Sequence, residues 1–272
     1  MSDTGLGIAA GAVFDRLAPS YDSDFTGSLI GRAQRNAVWN VLLKTFHPKD
    51  NILELNCGTG EDALFFARNH ISVFACDASQ QMISRADQRL NMSAPPHLVT
   101  FCHLPTEDIA GLDPAISFDG AFSNFSGLNC IEDLGPVAAS LAKLVKPGGH
   151  LLFCFSTRFC LVEIIYYLSQ GQVNKALRRC KGHTIAHLND APPLSVYYPT
   201  VRTLRRIFAP HFKLRSRTGV GVAIPPSYLE PWAQRHPYLF RLLCRLETLF
   251  SNLPFFRTTG DHVLLHFEKI TP

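Results

Sequence analysis

Residues 51–77, NILELNCGTGEDALFFARNHISVFACD, constrain the fold more than any other stretch of the chain. Ile52, Leu53 and Leu55 form a short apolar run that fits a buried strand. Residues 57–60 follow as a tight turn, and 61–69 place Ala63, Phe66 and Ala67 at helical spacing. Residues 71–76 are β-branched and aromatic and end on Asp77. The pattern is one βαβ unit with a ligand turn at the carboxyl end of its first strand, where open α/β sheets place their ligands.

The spacing Gly58…Gly60…Ala63 with Asp77 beyond fits a loose G-x-G-x-x-A dinucleotide pattern. The charges argue against a phosphate. Glu54, Glu61 and Asp62 would surround a pyrophosphate that wants bare N–H groups at a helix N-terminus. Their repulsion is on the order of several kcal/mol in a partly dry cleft. The expected ligand is a nucleoside with a positive centre and no phosphate, a description that S-adenosylmethionine meets.

Leu53-Glu54-Leu55-Asn56-Cys57-Gly58-Thr59-Gly60 resembles motif I of the class I S-adenosylmethionine-dependent methyltransferases. Cys76-Asp77-Ala78-Ser79 with Met82 resembles their second signature. Phe14-Asp15…Ala18…Tyr21-Asp22 resembles an amino-terminal motif of small-molecule members, and Leu144-Val145-Lys146-Pro147-Gly148-Gly149 the turn into their fifth strand. The matches are ordered and cover residues 14–155. Asn56 stands where the family usually has glycine; Asn is the next most tolerant of positive φ.

The resemblance implies a Rossmann-like, seven-stranded, mainly parallel sheet with helices on both faces and a last strand running antiparallel. The alternation of strands and helices through 155 fits such a layered α/β architecture. The reading is a single domain over 1–272, with an N-terminal helical cap at 13–46, a cofactor-binding core at 51–155, and helical lid insertions at 156–200 and 225–256. Residues 1–12 are small and glycine-rich and are expected to be mobile. Residues 28–46 read as a helix stopped by Pro48, and Ser79 as the cap of a helix that ends at Ala94-Pro95-Pro96.

A net charge of +4 over 272 residues is mild, and its basic excess is local, at 178–181 and 202–217, where a solvated face is the plain explanation. Nucleic acid is therefore not an expected partner. Eight cysteines without a C-x-x-C pair make zinc unexpected. No window is long and uninterrupted enough to span a bilayer, and no signal peptide is read, so a reducing cytoplasm is the expected location.

For the cofactor site the resemblance nominates Tyr21, Glu54, Asn56, Gly58, Gly60, Asp77, Ala78, Met82, Glu107, Asp108 and Asn124. Glu54 would face the amino group of S-adenosylmethionine, and Asp77 would accept from both ribose hydroxyls. Gly58 and Gly60 would let backbone approach the ligand. Ala78 and Met82 would border the adenine, with Glu107 or Asp108 at its edge. No base is assigned; His183, His187, Tyr197, Tyr198 and His262 qualify by type only. The acceptor is expected to be a small apolar or aromatic molecule between the insertions, near Phe159, Tyr166, Tyr167, Tyr197, Tyr198, Tyr228 and Trp232, although these rings could equally pack the lid on the sheet. The oligomeric state is not readable. The alternatives are a nicotinamide-dependent oxidoreductase on the same kind of sheet, a non-catalytic binder of the cofactor, and a methyltransferase acting on RNA or protein, which the absence of a basic stripe disfavours for RNA.

Overall fold

A computed structural model describes residues 9–93, 95–113, 115–188 and 191–271. Of residues 1–12, expected to be mobile, 1–8 lie outside the described residues, as does Ala94 of the helix-ending Ala94-Pro95-Pro96 step, whereas 9–12 form the first turn of a helix, which corrects that expectation. The chain opens with α1 (Ala9–Tyr21), a π-helical turn (Asp22–Thr26) and α2 (Leu29–Thr45). Ser28 caps α2 by accepting the Gly31 N–H at 2.9 Å. The βαβ unit follows as β1 (Asn51–Leu55), α3 (Glu61–Arg68) and β2 (Ser72–Asp77). Then come α4 (Gln80–Ser93), β3 (Val99–His103), β4 (Phe118–Ser123), α5 (Gly135–Leu144) and β5 (Val145–Ser156). Ser79 caps α4 through the Met82 N–H at 3.1 Å.

The first insertion holds α6 (Leu161–Ser169), α7 (Val173–Ala176) and a two-stranded antiparallel hairpin of β6 (His183–Ala186) and β7 (Leu194–Tyr197). The all-helical reading of 156–200 is corrected here. The four-residue strands are too short to show a period of two above the noise. His183 and His187 thus do not share a helix face; His183 stacks on Tyr197 at 4.7 Å. After α8 (Val201–Phe208) and β8 (Phe212–Val220), the second insertion carries α9 (Glu230–Arg235) and α10 (Pro237–Phe250), and β9 (His262–Lys269) closes the chain.

The sheet has seven strands in the order β3-β2-β1-β4-β5-β9-β8, with β9 antiparallel to both neighbours and the pairs from β3 to β5 parallel. Strand alternation sorts the core into two layers. Leu53, Leu55, Leu151, Phe153, Phe155, Leu265 and Phe267 face α5 and α8. Ile52, Phe122, Leu152, Cys154 and Leu264 face α2 and α3, against Val38, Leu42, Ala63 and Phe66. Glu54, two residues beyond Ile52, therefore projects to the α2 and α3 side. Strand order reverses between β1 and β4, which sets the crevice at their carboxyl ends.

Candidate active site

The turn after β1 is built from left-handed backbone: φ is 56° at Asn56, 55° at Gly58 and 76° at Gly60. Asn56 accepts this conformation, and its Oδ1 receives the Ser123 hydroxyl at 3.3 Å. Asp77, nearly buried at the end of β2, braces the turn: one carboxylate oxygen accepts the Gly58 N–H and the other the Ser79 N–H, both at 2.8 Å. Each oxygen keeps a second lone pair for a ligand. Burial raises the Asp77 pKa above the ordinary carboxylate value against those two bonds.

Asn56, Gly58, Asp77, Ala78, Met82, Asn124 and Tyr21 come together around one narrow cavity of about 60 Å³, with Ala10 and Phe14 of α1 as its roof. The roof is fastened to the βαβ unit. Asp15 accepts the Ser79 hydroxyl at 2.6 Å and the Gln81 N–H at 3.0 Å. Asp22 accepts the Thr59 hydroxyl at 2.6 Å and pairs with Arg89, which also pairs with Glu61.

Four nominated residues stand elsewhere. Gly60 does not line the cavity; a Cβ there would meet Phe101 Cζ at 2.6 Å and Ala86 Cβ at 2.9 Å, so this glycine permits helix–strand packing rather than ligand approach. Gly58 has open space, with Tyr21 Cε1 at 3.9 Å the nearest atom to an added Cβ. Glu107 and Asp108 are exposed on the Thr106–Gly111 turn and outside the cavity lining. Glu54 lies behind the turn, 1% exposed, and its Oε2 has no hydrogen-bond partner. Burial and the Asp62 charge push its carboxyl well above the usual range, against the pull of Arg35.

The acids of the α3 first turn are also less available than their sequence position implies. Asp62 pairs with Arg35, accepts Trp39 Nε1 at 2.6 Å and Asn124 Nδ2 at 3.1 Å, and is nearly buried. Their repulsion of a phosphate is accordingly discounted by Arg35 and Arg89, leaving the unpartnered Glu54 oxygen as the feature that favours a cationic group.

Phe14, Tyr21 and Phe125 also face a second cavity of about 600 Å³. Phe125 and Ser126 follow β4 with φ of 45° and 69°, left-handed conformations that cost free energy in non-glycine residues. Of the aromatic residues expected at the acceptor, only Tyr228 lines this cavity; the other aromatic side chains are Phe14, Tyr21, Phe25 and Phe125. Tyr166 and Tyr167 stack behind Tyr228 at 6.1 and 5.8 Å. Trp232 packs against the cluster of Ile30, Ile224, Ala233 and Phe240, and Phe159 lines a different cavity.

Charge lines the second cavity, and nothing in the sequence beyond residue type signals it. Buried Glu163 accepts Arg178 Nε at 3.1 Å and Nη2 at 3.0 Å, Arg179 Nη2 at 2.7 Å and the Tyr228 hydroxyl at 3.3 Å. Arg179 also reaches Asp261 at 2.8 Å. Burial pushes the Asp261 pKa up, but His262 and Arg179 outweigh it and hold it below the usual value. His262 lines the same cavity, 3.5 Å from Asp261, and burial lowers its pKa despite that carboxylate, leaving a neutral imidazole at pH 7. His183 and Tyr197, in contrast, sit on the hairpin, with Tyr197 donating to Glu132 at 3.2 Å, and Tyr198 is buried against Arg179.

An acid-braced glycine turn at the switch point of this sheet, closed by an amino-terminal helix and joined to a deeper chamber, defines a class I S-adenosylmethionine-dependent methyltransferase domain, with S-adenosylmethionine as its cofactor. The orphaned Glu54 oxygen and the open cradle at Gly58 fit that cofactor. Residues 52–149 match the family described as methyltransferase domain. It is 31% identical over 119 residues to YqeM, named as a methyltransferase in Bacillus subtilis; the match covers 43% of this chain and 46% of that protein. It is 26% identical over 263 residues to the tRNA 5-carboxymethoxyuridine methyltransferase of Escherichia coli, covering 94% of this chain and 95% of that one. Among solved structures, DhpI in complex with S-adenosylhomocysteine superposes with a TM-score of 0.62 at 15% identity and full coverage of both chains, a likeness of fold. Among the described residues no helix is long and apolar enough to cross a membrane.

Proposed function

We propose that this chain transfers the methyl group of S-adenosylmethionine to an oxygen of a flat acceptor group that carries a carboxylate. The observation that carries the reading is Arg178 at the wall of the aromatic second cavity. Its Nε and Nη2 are committed to Glu163, and its Nη1 meets no acceptor among the described residues. A guanidinium edge in a cavity that Phe25, Phe125 and Tyr228 also line suits a planar acid. The E. coli relative, named for an acceptor with a carboxymethoxy group, supports the same class.

In this reading the cofactor supplies an activated methyl on a sulfonium. Asp77, held by Gly58 and Ser79, accepts the ribose hydroxyls. Glu54 takes the ammonium on its free oxygen, and Ala78 and Met82 flank the base. Tyr21 and Phe125, common to both cavities, exclude water from the line of transfer. A carboxylate acceptor is already ionised at neutral pH, so no proton need be removed. Lids at α6–β7 and α9–α10 would cover the acceptor.

The test is methyl transfer to a panel of aromatic carboxylic acids and matched phenols, with wild type and Arg178→Met. Loss of a charge-assisted contact worth about 1.5–3 kcal/mol lowers kcat/KM for acids by roughly 10- to 150-fold, with S-adenosylhomocysteine affinity unchanged. Transfer confined to phenols, or insensitive to Arg178→Met, refutes the acid acceptor and points to His262 as a base.

A further inference from the structure

The two halves of the 202–217 basic stretch fold against each other and recruit a distant residue. Leu204 and Phe208 bury one side of α8, which turns Arg202 and Arg205 outward. A register shift between Leu214 and Ser216 inserts Arg215 as a bulge on β8, the edge strand of the sheet. Arg202, Arg205, Arg215, Arg217 and Arg257 then line one cleft of about 500 Å³ with no acidic residue in its wall. Among the described residues only Arg215 of these has a carboxylate partner, Glu268, at 2.7 Å. Arg202, Arg205 and Arg217 form no ion pair among the described residues, and Arg257 donates to the Asn252 carbonyl at 2.6 Å.

Charged residues on an edge strand can serve merely to block strand pairing. That accounts for Arg215 and Arg217, but not for three further guanidiniums brought by α8 and the loop before β9 into the same cleft. Concentrated like charge without counter-charge marks a site for an anion.

The cleft is also extended. Val201 and Arg217 belong equally to an adjoining cavity of about 270 Å³, lined by Thr157, Arg158 and Phe159. Phe159 leaves 43% of its surface exposed beside Arg158. Thr157 directly follows Ser156, which lines the 600 Å³ chamber. A basic track that carries an exposed aromatic ring is what binds successive phosphates and stacks a base.

We infer that this groove binds a single-stranded nucleic acid, running from the α8–β8 cleft past Phe159 toward the chamber that takes the acceptor. The inference rests on the proposed function only for where the strand leads; binding itself is independent of it.

The experiment is fluorescence anisotropy of the full chain with a labelled mixed-sequence RNA oligonucleotide, titrated across a salt series. For single strands the slope of log K against log salt is about −0.7 per phosphate neutralised, so four to five guanidiniums give about −3. Arg202→Gln/Arg217→Gln lowers the slope magnitude by about 1.4 and weakens binding at low salt at least about tenfold. Phe159→Ala weakens binding while leaving the slope unchanged. Retained S-adenosylhomocysteine binding and melting temperature certify that the variants are folded. Absence of saturable RNA binding at low salt overturns the inference, as does equal affinity and slope in the double variant. Competition by pyrophosphate at concentrations matching the RNA also overturns it, because a single small anion would then suffice. RNA binding without methyl transfer to any carboxylic acid would sink the proposed acceptor and leave the groove standing.

Discussion

Replacing Glu54 with Gln separates what this carboxylate costs the fold from what it gives the ligand. Glu54 is 1% exposed, its Oε2 is unpartnered, and burial plus the neighbouring Asp62 and Asp77 charges raise its pKa well above the usual range, with Arg35 opposing. In the folded chain it therefore holds its proton to higher pH than in the unfolded chain. The linkage sign follows: the folded state binds more protons between the ordinary carboxyl pKa and the raised one, so the group's contribution to stability declines as pH rises through that window. An unsatisfied buried acceptor costs about 1–3 kcal/mol. The amide keeps the volume and removes the charge but still leaves a polar atom unpaired, so the expected gain at neutral pH is at the lower end, about 1 kcal/mol. That corresponds to a melting temperature roughly 2–4 °C higher for a chain of this size. The advantage should shrink to nothing as pH falls below the ordinary carboxyl pKa. Calorimetric titration should meanwhile show S-adenosylhomocysteine bound roughly 10- to 150-fold more weakly, the worth of a charged hydrogen bond. A variant that melts lower than wild type at neutral pH, or binds the ligand as tightly, would refute both the burial argument and the assignment of Glu54 to the ammonium.

Two contrasts test the rest of the site. Gly60→Ala should destabilise the fold by about 2–5 kcal/mol, combining overpacking against Phe101 and Ala86 with a left-handed φ, whereas Gly58→Ala should cost only the conformational part, about 1–2 kcal/mol, and instead weaken cofactor binding; thermal melts and calorimetry on the pair separate the roles. Asp62→Ala should cost about 3–5 kcal/mol in denaturant titrations, because it strands the buried Arg35 guanidinium together with the Trp39 and Asn124 donors; a loss below about 1 kcal/mol would mean that Arg35 finds another partner.

The βαβ unit was legible because strand, turn and helix each carry local signals: the apolar run at Ile52–Leu55, positive-φ residues in the turn, and apolar spacing at Ala63, Phe66 and Ala67. The β6–β7 hairpin was not, since its strands are too short for alternation to register. Which glycine meets the ligand was also hidden. Gly58 and Gly60 look alike in the motif, and only the approach of α4 and β3 assigns the second to packing. Nothing local marks the charges of Glu61 and Asp62 as paired, because their partners Arg89 and Arg35 lie 28 and 27 residues away along the chain. The same distance effect concealed the arginine cleft, whose Arg257 joins a stretch ending at Arg217.

The way α1 is fastened has a consequence for the order of events. Phe14 and Tyr21 line both the narrow cavity around Asp77 and the larger chamber beside it. Were the Asp15–Ser79 and Asp22–Thr59 hydrogen bonds to break, the chamber would lose that wall as well. On the proposed function, such an opening would make loading sequential, with the methyl donor first, the acceptor second and the spent donor last to leave, an order that product-inhibition kinetics checks.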